Sequence, residues 1–310
     1  MSRFQVLDEP RHRCFSCGTC CTGVFVALDE EEQARMERLA PTVGVEQPVV
    51  DGGLRFEAGA CVFLDEQDTC RLHRHHGPAS KPLTCRQFPF AAIETESGPR
   101  AGIDPACTSA SRTWRAGPSF VPAEIQATRR PLHPSQHEPE AALLRALAEA
   151  PSIAAMLHLL CTGSPGGPAL PAGFAGRWIT RVQAADLGGF LADPDTGRGL
   201  RRALAGVPEA LQALDPDAPP PWPTLSAEEE AWSLEVTRRM VYLRRAPLIP
   251  VVQGVALLTL GGAVASAWTT PDRFGAALAA WARILRFRRV WQALVPEPAT
   301  LTWLATGREG

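Results

Sequence analysis

The sequence has no asparagine and a single lysine, Lys81, among its 310 residues. Arginine therefore supplies nearly all the positive charge. This skew, together with abundant Ala, Pro and Gly, is typical of a GC-rich bacterial genome and indicates no function. The formal net charge is only -2. A surface built throughout to hold nucleic acid is therefore excluded, and no nucleic-acid partner is expected.

Several catalytic motifs are also absent. There is no strand, Gly-rich turn and helix of the kind that binds S-adenosylmethionine, and no P-loop, G-x-S-x-G or H-E-x-x-H. The radical pattern C-x3-C-x2-C is incomplete, because Val24 stands where its last cysteine would be. Cys161 is a candidate nucleophile with His158 on the same helix face, but this spacing favours a helix-core pair. The residues alone leave open whether the protein is an enzyme.

The N-terminus has no basic stretch followed by an apolar one, so no signal peptide is expected and the predicted location is the cytoplasm. In that compartment thiols stay reduced. Clustered cysteines are then metal ligands more often than disulfide partners.

Cysteine is the informative residue. Eight of the nine cysteines lie within the N-terminal third, and Cys161 is the exception. The eight are Cys14, Cys17, Cys20, Cys21, Cys61, Cys70, Cys85 and Cys107. A single cysteine is most often a small buried hydrophobe, but eight within about a hundred residues of a cytoplasmic chain predict metal binding.

The densest cysteine motif is CFSCGTCC, in which two residues separate successive cysteines and Gly18 can take positive φ. Cys20 and Cys21 are adjacent, and neighbouring side chains of an extended chain point apart. We therefore expect them to serve two sites, or one to bind and the other to pack.

The choice between zinc and iron stays open at this stage. The C-x2-C-x2-C spacing is similar to ferredoxin sites and favours an iron–sulfur cluster. Cys61 and Cys70 at the two feet of a predicted hairpin favour zinc. Either way we predict more than one metal ion per chain. His73, His75 and His76 are either further ligands or solvated loop residues.

Four segments together carry a family resemblance: CFSCGTCC, CVFLDEQDTCRLH, PLTCRQFPF and a last Cys107. They resemble the YkgJ-type CxxCxxCC cysteine-cluster family of zinc- or iron-chelating domains over about residues 10–112. The resemblance implies metal binding by all eight N-terminal cysteines. Because the family includes proteins named flagellin lysine N-methylase, it also implies an alternative, a protein-modifying enzyme with a protein substrate.

The predicted fold class is α+β, with a small irregular cysteine-rich module with short hairpins followed by an all-α domain. We place the module at residues 1–115, a Pro-rich linker at 116–140 and the helical domain, of about six helices, at 141–310. In the module we predict a strand over 24–28, a helix from Glu30 capped by Asp29, and hairpins within 61–73 and 88–103. Ser226 and Glu229 form a predicted capping box for a later helix.

Two features near the C-terminus have alternative interpretations. Residues 248–268 are uncharged and long enough to span a bilayer, but their polar residues and glycines favour a buried core helix over membrane association. Arg283, Arg286, Arg288 and Arg289 form a basic run. It is expected to be a solvated helix face rather than a surface for RNA or anionic lipid.

Overall fold

The structure is a computed structural model that describes residues 3–22, 25–245 and 252–308. It is 52% helical, with small sheets in the N-terminal part and helices after them, which confirms the α+β class. The strands are β1 (Gln5–Val6), β2 (Val49–Val50), β3 (Gly53–Leu54), β4 (Phe56–Glu57), β5 (Ala60–Cys61), β6 (Phe90–Thr95), β7 (Gly98–Ile103) and β8 (Ala127–Arg129).

Three helices lie among these strands, α1 (Glu30–Leu39), α2 (Arg71–His76) and α3 (Leu83–Gln87). The helices that follow are α4 (His137–Glu149), α5 (Ile153–Thr162), α6 (Phe174–Ala184), α7 (Leu187–Ala192), α8 (Arg198–Ala203), α9 (Val207–Gln212), α10 (Ala227–Tyr242), α11 (Val252–Thr269), α12 (Phe274–Ile284), α13 (Arg288–Leu294) and α14 (Ala299–Thr306). The described residues thus hold eleven of these later α-helices where about six were expected. Residues 174–192 and 198–214 each form two short helices rather than one long helix, and the first of these stretches is divided at Asp186, whose φ is +45° and whose side chain caps α7.

The largest sheet has the strand order β1-β7-β6-β8. Strands β6 and β7 are antiparallel with Phe90 opposite Ile103 and a turn after Thr95, as predicted for the second hairpin. The outer strands β1 and β8 are parallel to their neighbours. Strand β8 comes from the predicted linker, so that segment contributes to the sheet of the cysteine-rich module.

The predicted hairpin over 61–73 is wrong in its second half. Cys61 pairs with Phe56 of the preceding strand, and within 61–73 the only bridge joins Leu64 to Cys70. The Asp65 carboxylate accepts hydrogen bonds from the amides of Gln67 and Thr69, which closes a local turn. The chain therefore leaves the turn directly into α2.

The predicted helix starts are confirmed. Asp29 accepts a hydrogen bond from the Glu32 amide at 2.8 Å, and Ser226 and Glu229 form the full capping box of α10. The strand predicted over 24–28 is only partly testable, because Val24 lies outside the described residues. From the rest of it, Ala27 forms an isolated bridge with Gly53.

Helix α11 is long and apolar enough to cross a membrane, yet 83% of it is buried inside the protein. Its polar groups bond within the fold: Gln253 donates to the Leu160 carbonyl, and Thr259 donates to the Val255 carbonyl one turn earlier. The helix is therefore a core element as favoured from the sequence, although residues 248–251 lie outside the described part. Membrane association stays untested.

Two hydrophobic clusters divide the interior unevenly. A small one contains Met36, Leu54, Phe63 and Leu72, with Cys21, Cys70 and Cys85 packed against it. The large one joins the later helices to the β6–β7 hairpin and includes Cys107. The hairpin thus shares its core with the helices rather than with the small cluster. The domain boundaries at 115 and 140 remain predictions.

Helix α11 packs tightly against α12 at Gly262. A Cβ atom there would lie 1.9 Å from Trp281 Cδ1, and the Trp281 indole is held by its hydrogen bond to the Leu258 carbonyl. Alanine favours a helix over glycine by about 1 kcal/mol, but this overlap requires the buried ring to move. We predict that Gly262→Ala lowers the free energy of unfolding by about 2 kcal/mol, the range for overpacking.

Urea unfolding measures this effect, and Gly167→Ala is the matched control. A Cβ at Gly167 meets nothing within 4 Å, so its unfolding midpoint should hardly move. Equal midpoints for the two variants would contradict the packing argument.

Candidate metal centre

The CFSCGTCC segment folds as a loop that closes in a single 3₁₀ turn, Thr19–Cys21. Gly18 precedes the turn with φ +68°, and the Cys21 amide donates to its carbonyl at 2.9 Å. A Cβ at Gly18 would lie 2.7 Å from Asp68 Cβ. Glycine is therefore required here both by the backbone angle and by the close approach of the Asp68 side chain.

Cys20 and Cys21 lie on this turn and not on extended chain, so the expectation that their side chains point apart is wrong. Their Sγ atoms are 3.8 Å apart. Two thiolates at about 2.3 Å from one tetrahedral ion are themselves separated by about 3.8 Å. The adjacent pair therefore has the spacing of two ligands of a single ion.

The other cysteines come from separate elements around this pair. Cys61 ends β5 and is buried, Cys70 precedes α2, and Cys85 lies in α3. Cys107 follows β7 and is buried. Four separate parts of the fold thus each contribute one cysteine in addition to those of the loop.

The thiols lie within electrostatic range of one another, and burial dominates the pKa of several of them. Burial raises the pKa of the Cys61 and Cys107 thiols to about 12, and it also raises the pKa of Cys85; the charge of Cys20 adds to all three effects. The pKa of Cys21 is raised, first by its hydrogen bond with Cys20 and then by burial. As protonated thiols these groups are neutral near pH 7.

Two cysteines have a lowered pKa instead. Burial raises the pKa of Cys17, but hydrogen bonds from Thr108 and Thr19 outweigh it; the Cys17 Sγ is 3.1 Å from the Thr108 hydroxyl. The hydrogen bond with Cys21 lowers the pKa of Cys20, and the positive charges of Arg283 and Lys81 lower it further. Cys20 is therefore the thiol best prepared to bind a cation as thiolate.

Cys14 and the histidines lie at the edge of this group. Cys14 is exposed, and its sulfur accepts the Ser16 amide at 3.4 Å. His73, His75 and His76 are exposed, and His76 Nε2 lies 2.7 Å from the Thr42 hydroxyl. Within residues 3–22, 25–245 and 252–308, no three Cys, His, Asp or Glu side chains converge as ligands of one ion.

The later helices hold the cysteine loop by its carbonyl groups. Arg283 of α12 donates to the carbonyls of Thr22 at 2.7 Å and of Cys20 at 3.4 Å. Arg202 of α8 donates to the Cys17 carbonyl at 2.8 Å and pairs with Asp68. The contacts with the loop carbonyls cross more than 180 residues of sequence, and no local pattern indicated them.

The solvated face expected for the basic run is therefore wrong for half of its members. Arg283 is only 2% exposed, and Arg286 is half-buried and paired with Asp104. Arg288 and Arg289 are exposed as expected. The reason is that α12 ends at Ile284 and the chain turns before α13, so the four arginines do not share one helix face.

The alternative nucleophile Cys161 is half-buried at the end of α5 and packs against the large core. Burial raises the pKa of its thiol to about 11. At neutral pH it is therefore a thiol and a poor nucleophile, which agrees with the helix-core interpretation of the pair with His158.

Comparison with known families assigns the cysteine-rich part. Residues 13–108 match the CxxCxxCC family, described as "Putative zinc- or iron-chelating domain". The match spans all eight N-terminal cysteines and confirms the resemblance seen in the sequence. No curated protein and no solved structure matches the chain significantly.

Proposed function

Because residues 13–108 match a zinc- or iron-chelating domain, we propose that the N-terminal cysteines bind zinc or an iron–sulfur cluster in the cytoplasm, in a structural or electron-carrying centre. The observation that supports this most directly is the gathering of thiols around Cys20. Its charge acts on the cysteines at positions 17, 21, 61, 85 and 107, and Cys70 acts on Cys61. Seven thiols thus lie within electrostatic range of at least one other thiol.

The donor set fits such a metal. Thiolates are the soft ligands that zinc and iron–sulfur clusters take, and the surrounding histidines and carboxylates are exposed or paired elsewhere. Buried thiols with a raised pKa release their protons when a cation binds. The positive charge of the cation then stabilises the thiolates, which burial alone disfavours. Because the thiols do not yet converge, binding draws these side chains inward.

The metal would supply one of two properties. Zinc has no redox chemistry and would cross-link the cysteine loop to β5, α2 and α3 as a structural site. An iron–sulfur cluster would accept and donate single electrons, at a potential set by burial and by hydrogen bonds near the sulfurs. Cys17, Cys20, Cys21, Cys61, Cys70, Cys85 and Cys107 are the residues that would hold it, with Cys14 as the eighth ligand implied by the family.

Anaerobic purification followed by metal analysis and an absorption spectrum tests the proposal. Seven or eight thiolates exceed the four of one tetrahedral site, so we expect more than one metal ion per chain. Iron would give a brown protein that absorbs at about 400 nm, and zinc would give a colourless protein with about two ions per chain. Cys161→Ser is the control and should keep the full metal content. A single ion per chain, or none, would contradict the proposal.

A further inference from the structure

A cluster of arginines lies beside the cysteines, around one buried carboxylate. Asp104 is 1% exposed and pairs with Arg245 at 2.8 Å and with Arg286. Its charge also acts on Arg130 and Arg283. Asp104 thus pairs with two guanidinium groups and lies within electrostatic range of two more, so positive charge exceeds negative charge around this carboxylate in the described part of the chain.

The hydrogen bonding of these arginines is incomplete as well. The Nε atoms of Arg130, Arg245, Arg283 and Arg286 are all buried and have no hydrogen-bond partner in the described part of the chain. Burial lowers the pKa of Arg283, and the charge of Arg286 lowers it further. Surplus buried charge of this kind destabilises a fold unless a counter-charge lies within reach.

The cysteine loop is where that counter-charge would arise. Arg283 reaches the carbonyls of Cys20 and Thr22, and its charge acts on the Cys20 and Cys21 thiols. Asp104 stands three residues before Cys107. Four thiolates around a divalent zinc ion carry a net charge of two negative units, and cysteine-ligated iron–sulfur clusters are likewise anionic.

We propose that Arg283 neutralises the negative charge of the metal–thiolate centre at Cys20 and Cys21, with the rest of the arginine cluster adding to its field, and that it thereby sets the affinity for metal. This inference rests on the proposed function. Arg283 is a positioning and charge-compensating residue here, since it contacts the loop through the carbonyls of Cys20 and Thr22. The surplus positive charge is then the counterpart of the ligands' negative charge.

The test separates charge from hydrogen bonding. Arg283→Gln keeps a donor but removes the charge, whereas Arg283→Lys keeps the charge. Loss of an outer partner of a metal ligand typically weakens metal affinity by about 10- to 100-fold. We expect a loss of that size for Arg283→Gln, and an affinity close to that of the wild type for Arg283→Lys. Arg286→Gln leaves the loop carbonyls untouched and removes one positive charge together with a partner of Asp104, and it should weaken zinc binding several-fold while Arg245 keeps Asp104 paired. Exposed Arg288→Gln is the control and should bind as wild type.

Zinc affinity is measured on the full-length protein by competition with a chelator, with circular dichroism to confirm folding. If wild type binds zinc and both Gln variants bind it equally well, the inference is wrong and the proposed function stands. If Arg283→Lys is as weak as Arg283→Gln and Arg286→Gln is normal, Arg283 is only an anchor and the inference is also wrong. Stoichiometric binding of inorganic sulfate by the zinc-loaded protein would overturn it too, since a free anion would then be the counter-charge. If the wild-type protein binds no metal, the proposed function itself is wrong.

Discussion

Cys85→Ser and Cys17→Ser are expected to lose bound metal and, with it, the protease resistance of residues 13–87. Replacing a partner that only orients a ligand costs about 10- to 100-fold in metal affinity, so losing a ligand should cost more than about 100-fold. Cys85 packs against the small core and Cys17 lies on the loop. Both variants should therefore show the same unfolding, although the two cysteines lie on different elements.

The physical reason is the size of the small hydrophobic cluster. It holds ten buried residues, and the strands that border it, β2 to β5, have two residues each. A core of that size does not stabilise an isolated segment, so small folds of this kind depend on a metal or a similar cross-link. Because the site does not exist in the unfolded chain, metal binding and folding of this segment are one equilibrium.

Limited proteolysis followed by mass spectrometry, with metal analysis of the same samples, measures the result. The β6–β7 hairpin and the later helices share the large core, so fragments containing the hairpin and these helices should persist while residues 13–87 are cut. Cys161→Ser should resemble wild type in both measurements. Full metal content and an intact N-terminal segment in both variants would show that these cysteines are not ligands.

The features that the sequence predicted correctly are local. Asp29 caps α1, Ser226 and Glu229 cap α10, and the strands on either side of Ser97 pair as a hairpin. Each depends on residues a few positions apart, so a motif carries the information. The hydrophobic run of α11 was equally clear, since a helix apolar on all sides is buried somewhere.

Two of the errors concern local backbone conformation, and a third concerns contacts between distant residues. A turn forms where the second strand of a hairpin was predicted, because the Asp65 side chain accepts hydrogen bonds from two backbone amides. A 3₁₀ turn brings the thiols of Cys20 and Cys21 together where extended chain was expected. Arg283 was assigned to a solvated face because its helix was expected to continue past Ile284. Its partners, the carbonyls of Cys20 and Thr22, lie more than 260 residues earlier. Motif spacing identified the ligand candidates but not the charges that surround them.

A buried ion network joins the cysteine-rich module to the helices, with Glu140 of α4 at its centre. Glu140 is 2% exposed and accepts from Arg100 of β7 at 2.9 Å and from Arg244, beyond α10, at 2.9 and 3.1 Å. Glu96 in the β6–β7 turn accepts a further bond from Arg244 at 2.8 Å. One carboxylate thus holds two buried guanidinium groups together across the junction of hairpin and helices.

Glu140→Ala should lower the free energy of unfolding by about 3–5 kcal/mol, the usual cost of removing one partner of a buried ion pair. Two buried arginines would then face each other, and only Arg244 would keep a carboxylate partner, in Glu96. Replacing exposed Glu149 at the end of the same helix by alanine is the control and should change stability by less than about 0.5 kcal/mol. Urea unfolding followed by circular dichroism gives both values.

Because the hairpin and the helices share one core, the loss should appear as a shift of a single transition. A shift as small as that of the Glu149 variant would show that the network contributes nothing to stability, and a separate early transition would show that the hairpin unfolds independently of the helices.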